Sequence, residues 1–171
     1  MSVSNAQKTN PTANLAECCC EYPMNAICRF ELEATLAVVD GNRHVNNVAY
    51  VQWMQDAAVR HAETSGCAQA TAAIGATWVA RSHQIEYLRP AFAGDTITVL
   101  TWVADFRKVR SRRRYRFIRA ADRTVLAEGE TDWVFVDART GRPRAIPEAI
   151  QQLFQIIPGG PESLTSEPGA I

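Results

Sequence analysis

One short stretch of the sequence concentrates side chains that could do chemistry, namely residues 39–53, which read VDGNRHVNNVAYVQW. Its first part, residues 40–47, holds a carboxylate, an imidazole and three amides, contributed by Asp40, His44, Asn42, Asn46 and Asn47. An apolar helical pattern starts directly afterwards, so these groups stand where a strand gives way to a helix. A helix N-terminus offers unpaired backbone N–H donors and the positive end of a dipole. A carboxylate beside such donors suits attack on a carbonyl group whose developing oxyanion the donors stabilise.

Each of these residues also has a purely structural interpretation. Asp40 is a residue type common in turns, and Asn42 tolerates left-handed backbone geometry. His44 could serve in capping or packing, and either Asn46 or Asn47 could cap the helix with its side chain. The other two histidines, His61 and His83, lack polar companions nearby in the sequence and are interpreted as structural.

A second polar feature is a run of basic residues between two strand patterns. Residues 107–116 hold seven of the 18 basic residues of a chain whose formal net charge is zero. Two interpretations stay open, since Arg112, Arg113 and Arg114 could bind the phosphates of a ligand or could be outward-facing arginines of a solvated strand pair.

Composition narrows the class of protein. The chain has 171 residues, of which 47% are hydrophobic and 21% charged, as in a single globular domain. No apolar run reaches the ~20 residues of a membrane-spanning helix, and the polar N-terminus lacks a signal-peptide core, so we expect a cytoplasmic protein that binds neither membrane nor nucleic acid. Five cysteines, three of them adjacent at Cys18–Cys20, fit neither a disulfide framework nor a metal site, and we expect reduced thiols.

Periodicity predicts one α+β domain over residues 26–157, between a flexible leader (1–25) and a flexible tail (158–171). Alternating apolar residues from Phe30 to Val38 predict a strand, and a long helix follows from Asn46 or Asn47 to Gly66. A short segment of small residues precedes four further strands and a short helix that begins near Pro147. The predicted strands are residues 78–89, 96–106, 112–120 and 125–136, and their short connections predict antiparallel pairing of consecutive strands.

The stretch 40–50, DGNRHVNNVAY, resembles the signature of the hotdog-fold thioesterases. It is most similar to the Asp-x-Asn-x-His-Val-Asn-Asn-x-x-Tyr pattern of acyl-ACP thioesterases and their bacterial relatives. It also resembles the 4-hydroxybenzoyl-CoA thioesterase family, which places an aspartate at the Asp40 position. The likeness extends to residues 85–90, 94–95 and 126–129 and therefore covers roughly residues 27–155.

This resemblance implies an antiparallel sheet of about five strands wrapped around one long helix, with sheets joined edge to edge in dimers and the active site at the interface. Asp40 would be the nucleophile or general base, Asn42 and His44 would position it, and the Asn47 backbone N–H would donate to the oxyanion. Asn46 and Tyr50 would contact substrate, and a place for Tyr50 in the core is the open alternative. The Glu-Cys pair of the plant acyl-ACP enzymes is absent, because residues 90–92 read Pro-Ala-Phe, which favours a mechanism centred on Asp40.

We therefore expect a cofactor-independent and metal-independent thioesterase that acts on acyl-CoA or acyl-ACP as a homodimer or homotetramer. Thioesters are intrinsically activated, so one carboxylate and one oxyanion site can suffice. A non-catalytic protein that binds acyl thioesters is the main alternative, and a hotdog dehydratase or hydratase is a third. The sequence distinguishes neither the carrier nor the length of the acyl chain.

Overall fold

The computed structural model describes residue 23 and residues 25–162, which form an α+β domain with one antiparallel sheet and one long helix. The strands are β1 (Ile27–Glu33), β2 (Ala76–Tyr87), β3 (Thr96–Phe106), β4 (Arg110–Arg119) and β5 (Val125–Asp137). The helices are α1 (Asn47–Thr64), α2 (Cys67–Ala73) and α3 (Glu148–Gln151), and a short 3-10 helix covers Leu36–Val38. The expected hotdog arrangement of the fold is confirmed.

The order of the strands in the sheet is β1-β3-β4-β5-β2, and every neighbouring pair is antiparallel. The prediction that consecutive strands pair is correct for β3, β4 and β5 but wrong for β2. That strand pairs with β5 at one edge of the sheet, because the segment after it crosses to β3 rather than turning back in a hairpin. β1 forms the opposite edge.

Helix α1 lies across the inner face of the sheet. Its apolar positions recur at helical spacing, and Tyr50, Trp53, Met54 and Ala57 are buried in the main core. β5 accommodates the helix through Gly129, where an added Cβ would lie 3.1 Å from the sulfur of Met54. The predicted end of the helix is confirmed, since Gly66 adopts the left-handed conformation (φ 76°) just beyond Thr64.

One predicted strand boundary is wrong, and one segment that the sequence pattern leaves unassigned is helical. The first strand ends at Glu33 rather than at Val38, because Ala34 forms two backbone hydrogen bonds to the Gly94-Asp95 turn and the chain then enters the 3-10 helix. The small-residue segment after Gly66 is helical and forms α2. Its alanines have high intrinsic helix propensity, and Cys67 and Thr71 bury one side of it.

The C-terminal part of the domain covers the sheet beyond the predicted boundary. Ile157 is buried with Trp102 on the outer face, opposite α1. The next residues, 158–162, continue along that face, where the Arg114 guanidinium donates to the Pro158 carbonyl and Arg116 pairs with Glu162. Residues 158–162 of the expected tail therefore pack against the domain, whereas residues 163–171 lie outside the described residues.

The expectations about the leader lie almost wholly outside the described residues, as do the adjacent cysteines Cys18–Cys20. Within the described part of the chain, no helix is both long enough and apolar enough to cross a membrane. The same residues include no group of three or more histidine, cysteine or acidic side chains arranged to hold a metal ion.

Candidate functional site

Asp40 organises the turn that precedes α1. One oxygen of its carboxylate, Oδ1, accepts the backbone N–H groups of Asn42 (2.8 Å) and His44 (3.3 Å). The Asp40 N–H in turn donates to the carbonyl of His44, and Arg43 closes the turn with a positive φ of 64°. Among the residues that the structure describes, none donates to Oδ2 of Asp40. The exposed carboxylate is thus held in one orientation with its second oxygen available to a substrate or a water molecule.

The side chains of Asn42 and His44 flank this turn on the surface. The His44 ring meets the ring of Phe92 edge to face, with centroids 5.2 Å apart. Asn42 contributes its backbone N–H to Asp40, and both side chains are exposed. The structure brings Asp40, Asn42 and His44 together in one turn, and the positioning roles of Asn42 and His44 stay predictions.

The N-terminus of α1 leaves two backbone donors without an acceptor in the described chain. Asn46 is the N-cap: its side-chain oxygen accepts the Ala49 N–H at 2.8 Å, and its Nδ2 donates to the Val38 carbonyl at 2.8 Å. The N–H groups of Asn47 and Val48 precede any helical acceptor, and no described residue accepts them. Both residues are exposed, so these donors face the surroundings at the positive end of the helix dipole.

Tyr50 lies one turn further along α1 and is 3% exposed. Its ring makes edge-to-face contacts with Trp53, Tyr87 and Phe117. Burial raises the pKa of Tyr50 to about 12, with smaller contributions from Tyr87 and Asp95, so the phenol stays protonated at neutral pH. Tyr50 forms part of the core behind the helix terminus rather than part of the exposed surface.

A second loop, residues 90–95, packs beside the motif. Its sequence pattern indicated the fold of the domain but did not predict that the loop supports the motif. Asp95 accepts the backbone N–H of Phe92 and the Arg119 guanidinium, and Arg119 also donates to the Pro90 carbonyl. The Ala91 carbonyl then accepts the N–H of Val45 within the motif. Asp95 and Arg119 are therefore the residues that hold the loop against which the motif is built.

The three consecutive arginines do not share one face, as both interpretations of this run assume, because successive residues of a strand face opposite sides of the sheet. Arg112 and Arg114 lie on the outer face, each within 4 Å of Glu130 on β5. Arg113 points inward and is 6% exposed. It lies against the C-terminal half of α1, where its Nη1 donates to His61 Nδ1 (2.8 Å) and Thr101 Oγ1 (3.2 Å).

The outer-face arginines are largely neutralised. Arg110 pairs with Asp132, Arg116 pairs with Glu128, and Glu130 lies between Arg112 and Arg114. This alternation of charge along β4 and β5 favours the solvated-face interpretation over a phosphate-binding patch. A phosphate-binding role for Arg112 and Arg114 stays a prediction.

Comparison with protein families gives the class of the protein. Residues 35–154 match the family described as the Thioesterase-like superfamily, and the chain belongs to this family. The match spans the Asp40 turn, α1 and the whole of the sheet except β1. Membership indicates thioester hydrolysis as the class of activity. No curated protein sequence matches this chain significantly.

Solved structures agree with this fold. A probable thioesterase, YbaW, from Escherichia coli is 20% identical with a TM-score of 0.69, covering 73% of this chain and 94% of that one. A 1,4-dihydroxy-2-naphthoyl-CoA thioesterase from Synechocystis is 19% identical with a TM-score of 0.66, covering 74% and 94%. An acyl-ACP thioesterase from Bacteroides thetaiotaomicron is 19% identical with a TM-score of 0.69, covering 75% and 54%. At these identities the likeness shows the fold.

Proposed function

We propose that this protein hydrolyses acyl-CoA or acyl-ACP thioesters to a free acid and a thiol, with Asp40 as the nucleophile or general base. The observation that carries the proposal is a fixed, exposed carboxylate at Asp40, in the turn seven residues before the first residue of α1, together with two N–H donors at the helix terminus that no described residue accepts. Family membership supports the reaction class. Neither a metal nor a cofactor enters the proposed reaction.

The proposed reaction needs only these two groups. The thioester carbonyl oxygen accepts the Asn47 N–H, and the neighbouring Val48 N–H is a second donor of the same kind, so charge that develops on the oxygen is stabilised. As a general base, Asp40 takes a proton from the water that attacks the carbonyl carbon, and the C–S bond then breaks to release the thiol. As a nucleophile, Asp40 forms an acyl anhydride as the thiol leaves, and water then hydrolyses it.

The proposal includes both CoA and ACP as carriers of the acyl group, because proteins of similar fold are thioesterases for each carrier. The Synechocystis neighbour acts on a CoA thioester and the Bacteroides neighbour on an acyl-ACP. Asn46 supports the site by fixing the helix terminus, and Tyr50 by filling the core directly behind it. A cytoplasmic location stays a prediction from the sequence.

The test is a thiol-release assay over a panel of acyl-CoA and acyl-ACP thioesters, comparing the wild type with Asp40→Asn. Asparagine keeps the Oδ1 acceptor that binds Asn42 and His44, so the turn should survive while the negative charge is lost. We expect turnover to fall by about 10²–10⁴-fold with little change in melting temperature. Wild-type turnover by a folded Asp40→Asn protein would remove Asp40 from the mechanism.

The same assay separates the alternatives. A wild-type protein that binds acyl thioesters in calorimetry and releases no thiol is the non-catalytic binding protein. A change in enoyl absorbance without thiol release identifies a dehydratase or hydratase.

We also propose that the active form is at least a dimer joined through β2. Among the described residues, only β5 pairs with β2, and the strand is exposed along most of its length. Val79 and Tyr87 are 44% and 45% exposed, so apolar surface adjoins an open edge. Such an edge is stabilised by pairing with a second copy, which a symmetric interface achieves for both. Light scattering at micromolar concentration should give at least twice 18.9 kDa, whereas an active monomer would contradict this interface.

A further inference from the structure

A cavity of about 280 Å³ lies beside the C-terminal half of α1, away from the Asp40 turn. Its walls come from α1, α2 and the inner face of the sheet. Most of the lining is apolar or aromatic, including Ala58, Ala62, Trp78, Val103, Phe106 and Phe154. Arg113 also lines the cavity and is the buried cationic side chain among these residues. At about 30 Å³ for each water-sized group, the volume accommodates roughly nine non-hydrogen atoms.

The hydrogen bonds of Arg113 show which of the side chains around it are charged. A guanidinium group can only donate, so His61 Nδ1 must accept the 2.8 Å hydrogen bond from Arg113 Nη1. A histidine that accepts through Nδ1 is in its neutral form. Thr101, also neutral, accepts from the same nitrogen, and the Phe154 ring faces the guanidinium at 5.6 Å. Among the described residues of this cluster, Arg113 therefore carries the one positive charge.

Among the residues that the structure describes, no carboxylate forms an ion pair with Arg113; Glu63, an exposed residue of α1, also lines the cavity but does not pair with the guanidinium. The outward-facing arginines of the same strand differ, since Arg110, Arg112, Arg114 and Arg116 all have acidic partners. Within the described chain, Nε and Nη2 of Arg113 donate to no residue, which leaves the guanidinium with hydrogen-bond capacity beside the cavity. Burial lowers the pKa of Arg113, as expected for a cation removed from water. A buried cation of this kind is normally paired with an anion.

We propose that this cavity binds a carboxylate carried on a small apolar or aromatic body, with the carboxylate against Arg113. The planar fork of a guanidinium matches the two oxygens of a carboxylate, and the surrounding apolar walls suit the rest of the ligand. The anion supplies a negative charge beside a buried guanidinium, where the pairing is stronger than between two exposed side chains.

The bound carboxylate is not the one that thioester hydrolysis creates at the Asp40 turn. Asn47 and His61 are separated by 14 residues of α1, or about 21 Å at 1.5 Å per residue. Two sources share the proposed chemistry, namely a free carboxylic acid that occupies the cavity by itself and an acyl group that bears a second, terminal carboxylate. The first does not depend on the proposed thioesterase activity, whereas the second rests on it.

The first experiment measures binding of benzoate and of benzamide, a neutral molecule of the same shape with about nine non-hydrogen atoms. Wild-type protein should bind benzoate at least about tenfold more tightly than benzamide, because the charged ligand forms the stronger hydrogen bonds. Benzoate should shift the indole N–H resonances of Trp78 and Trp133, which line the cavity, more than those of Trp53 and Trp102. Equal affinity for the two probes, or no binding of either at millimolar concentration, would overturn the proposal.

Variants test whether Arg113 is the anion-binding group. Arg113→Met removes the charge at similar length and should abolish the preference for benzoate, whereas Arg113→Lys should retain part of it. The matched control is Arg112→Met, which removes the neighbouring outer-face guanidinium and should bind both probes as the wild type does. Loss of the preference in Arg112→Met, or its full retention in Arg113→Met, contradicts the proposal. If Arg113→Met does not fold, the wild-type preference and the shifts of Trp78 and Trp133 still decide the outcome.

The second experiment distinguishes the two sources. It compares hydrolysis of CoA thioesters of equal acyl length with and without a terminal carboxylate. If the acyl group is the ligand, kcat/KM should favour the carboxylated member by about tenfold in the wild type, and Arg113→Met should erase that ratio. If the ligand is a free acid, the ratio stays near one while benzoate still binds. Absence of any thioester hydrolysis counts against the proposed function, and the benzoate result then stands independently.

Discussion

The two ends of α1 carry polar groups in opposite settings. At the N-terminus, Asp40 and the Asn47 N–H are exposed, and the surrounding hydrogen bonds run between residues a few positions apart. Towards the C-terminus, His61 and Arg113 are buried, and they are 52 residues apart in sequence. One end offers a carboxylate and backbone donors to an incoming group, and the other keeps a cation out of water.

The two arrangements differ in the free-energy cost of removing a charged group from water. A solvated carboxylate in a turn costs little, because water satisfies whatever the backbone does not. A buried guanidinium loses its hydration, and the neutral acceptors His61 and Thr101 return hydrogen bonds without returning charge. The exposed end is therefore suited to chemistry on a transient substrate, and the buried end to selective retention of an anion.

Among changes that leave Asp40 in place, the largest effect should come from removing one backbone donor at the exposed end. Asn47 is the first residue of α1, a position where proline is tolerated, and Asn46 already has the extended conformation (φ −72°, ψ 156°) that precedes a proline. Asn47→Pro therefore deletes the proposed oxyanion donor while the helix is preserved. We expect kcat to fall by about 10²–10³-fold in the thiol-release assay.

Asn47→Ala is the matched control for this prediction. It removes the exposed side chain but keeps the backbone N–H, so turnover should stay within a few-fold of the wild type. Circular dichroism should show equal helix content in both variants. Equal losses of activity in the two variants would assign the function to the Asn47 side chain and not to the backbone.

The next effect should appear in stability and should come from the buried end. His61→Ala removes one of the two acceptors of Arg113 and an edge-to-face contact with Phe154, which leaves the cation with Thr101 as its acceptor among the described residues. We expect the free energy of unfolding to fall by about 3 kcal/mol in urea denaturation. His83→Ala is the control, because His83 is exposed and has one hydrogen bond to Thr131, and it should cost about 1 kcal/mol or less. Similar losses of unfolding free energy in the two variants would show that the buried His61–Arg113 pair stabilises the protein no more than an exposed hydrogen bond does.

The exposed end could be predicted from the sequence because its determinants are local. The Asp40 turn and the Asn46 cap each depend on residues within one or two turns of chain, so residue type and spacing are sufficient. The Gly66 terminus at the other end of α1 is local in the same way. Only the choice of cap stayed open, and the hydrogen bond of Asn46 to Ala49 decides it.

The buried end could not be predicted because its contacts depend on strand register. The alternation of side chains along β4 could have predicted that Arg113 lies on the opposite face from Arg112 and Arg114. Tyr115 and Phe117 lie on the same face as Arg113, and their aromatic side chains indicate that this face is buried. Nothing in the local sequence, however, places His61 of α1 opposite that strand. The position of β2 at the sheet edge was missed for the same reason, because pairing with β5 joins residues 40 to 61 positions apart.

The smallest effect is expected from the outer face of the sheet. It tests whether the face on which an arginine of β4 lies determines whether that arginine binds a ligand. Replacing Arg112 and Arg114 together by Gln removes two guanidinium groups that already share Glu130. Exposed pairs of this kind contribute only about 0–1 kcal/mol, and a partly neutralised arginine attracts a remote phosphate weakly. We therefore expect KM for CoA thioesters to rise less than about twofold at low salt, with kcat unchanged. A rise of about fivefold or more, reduced by added salt, would restore the phosphate-binding role of these residues and would make both faces of β4 functional.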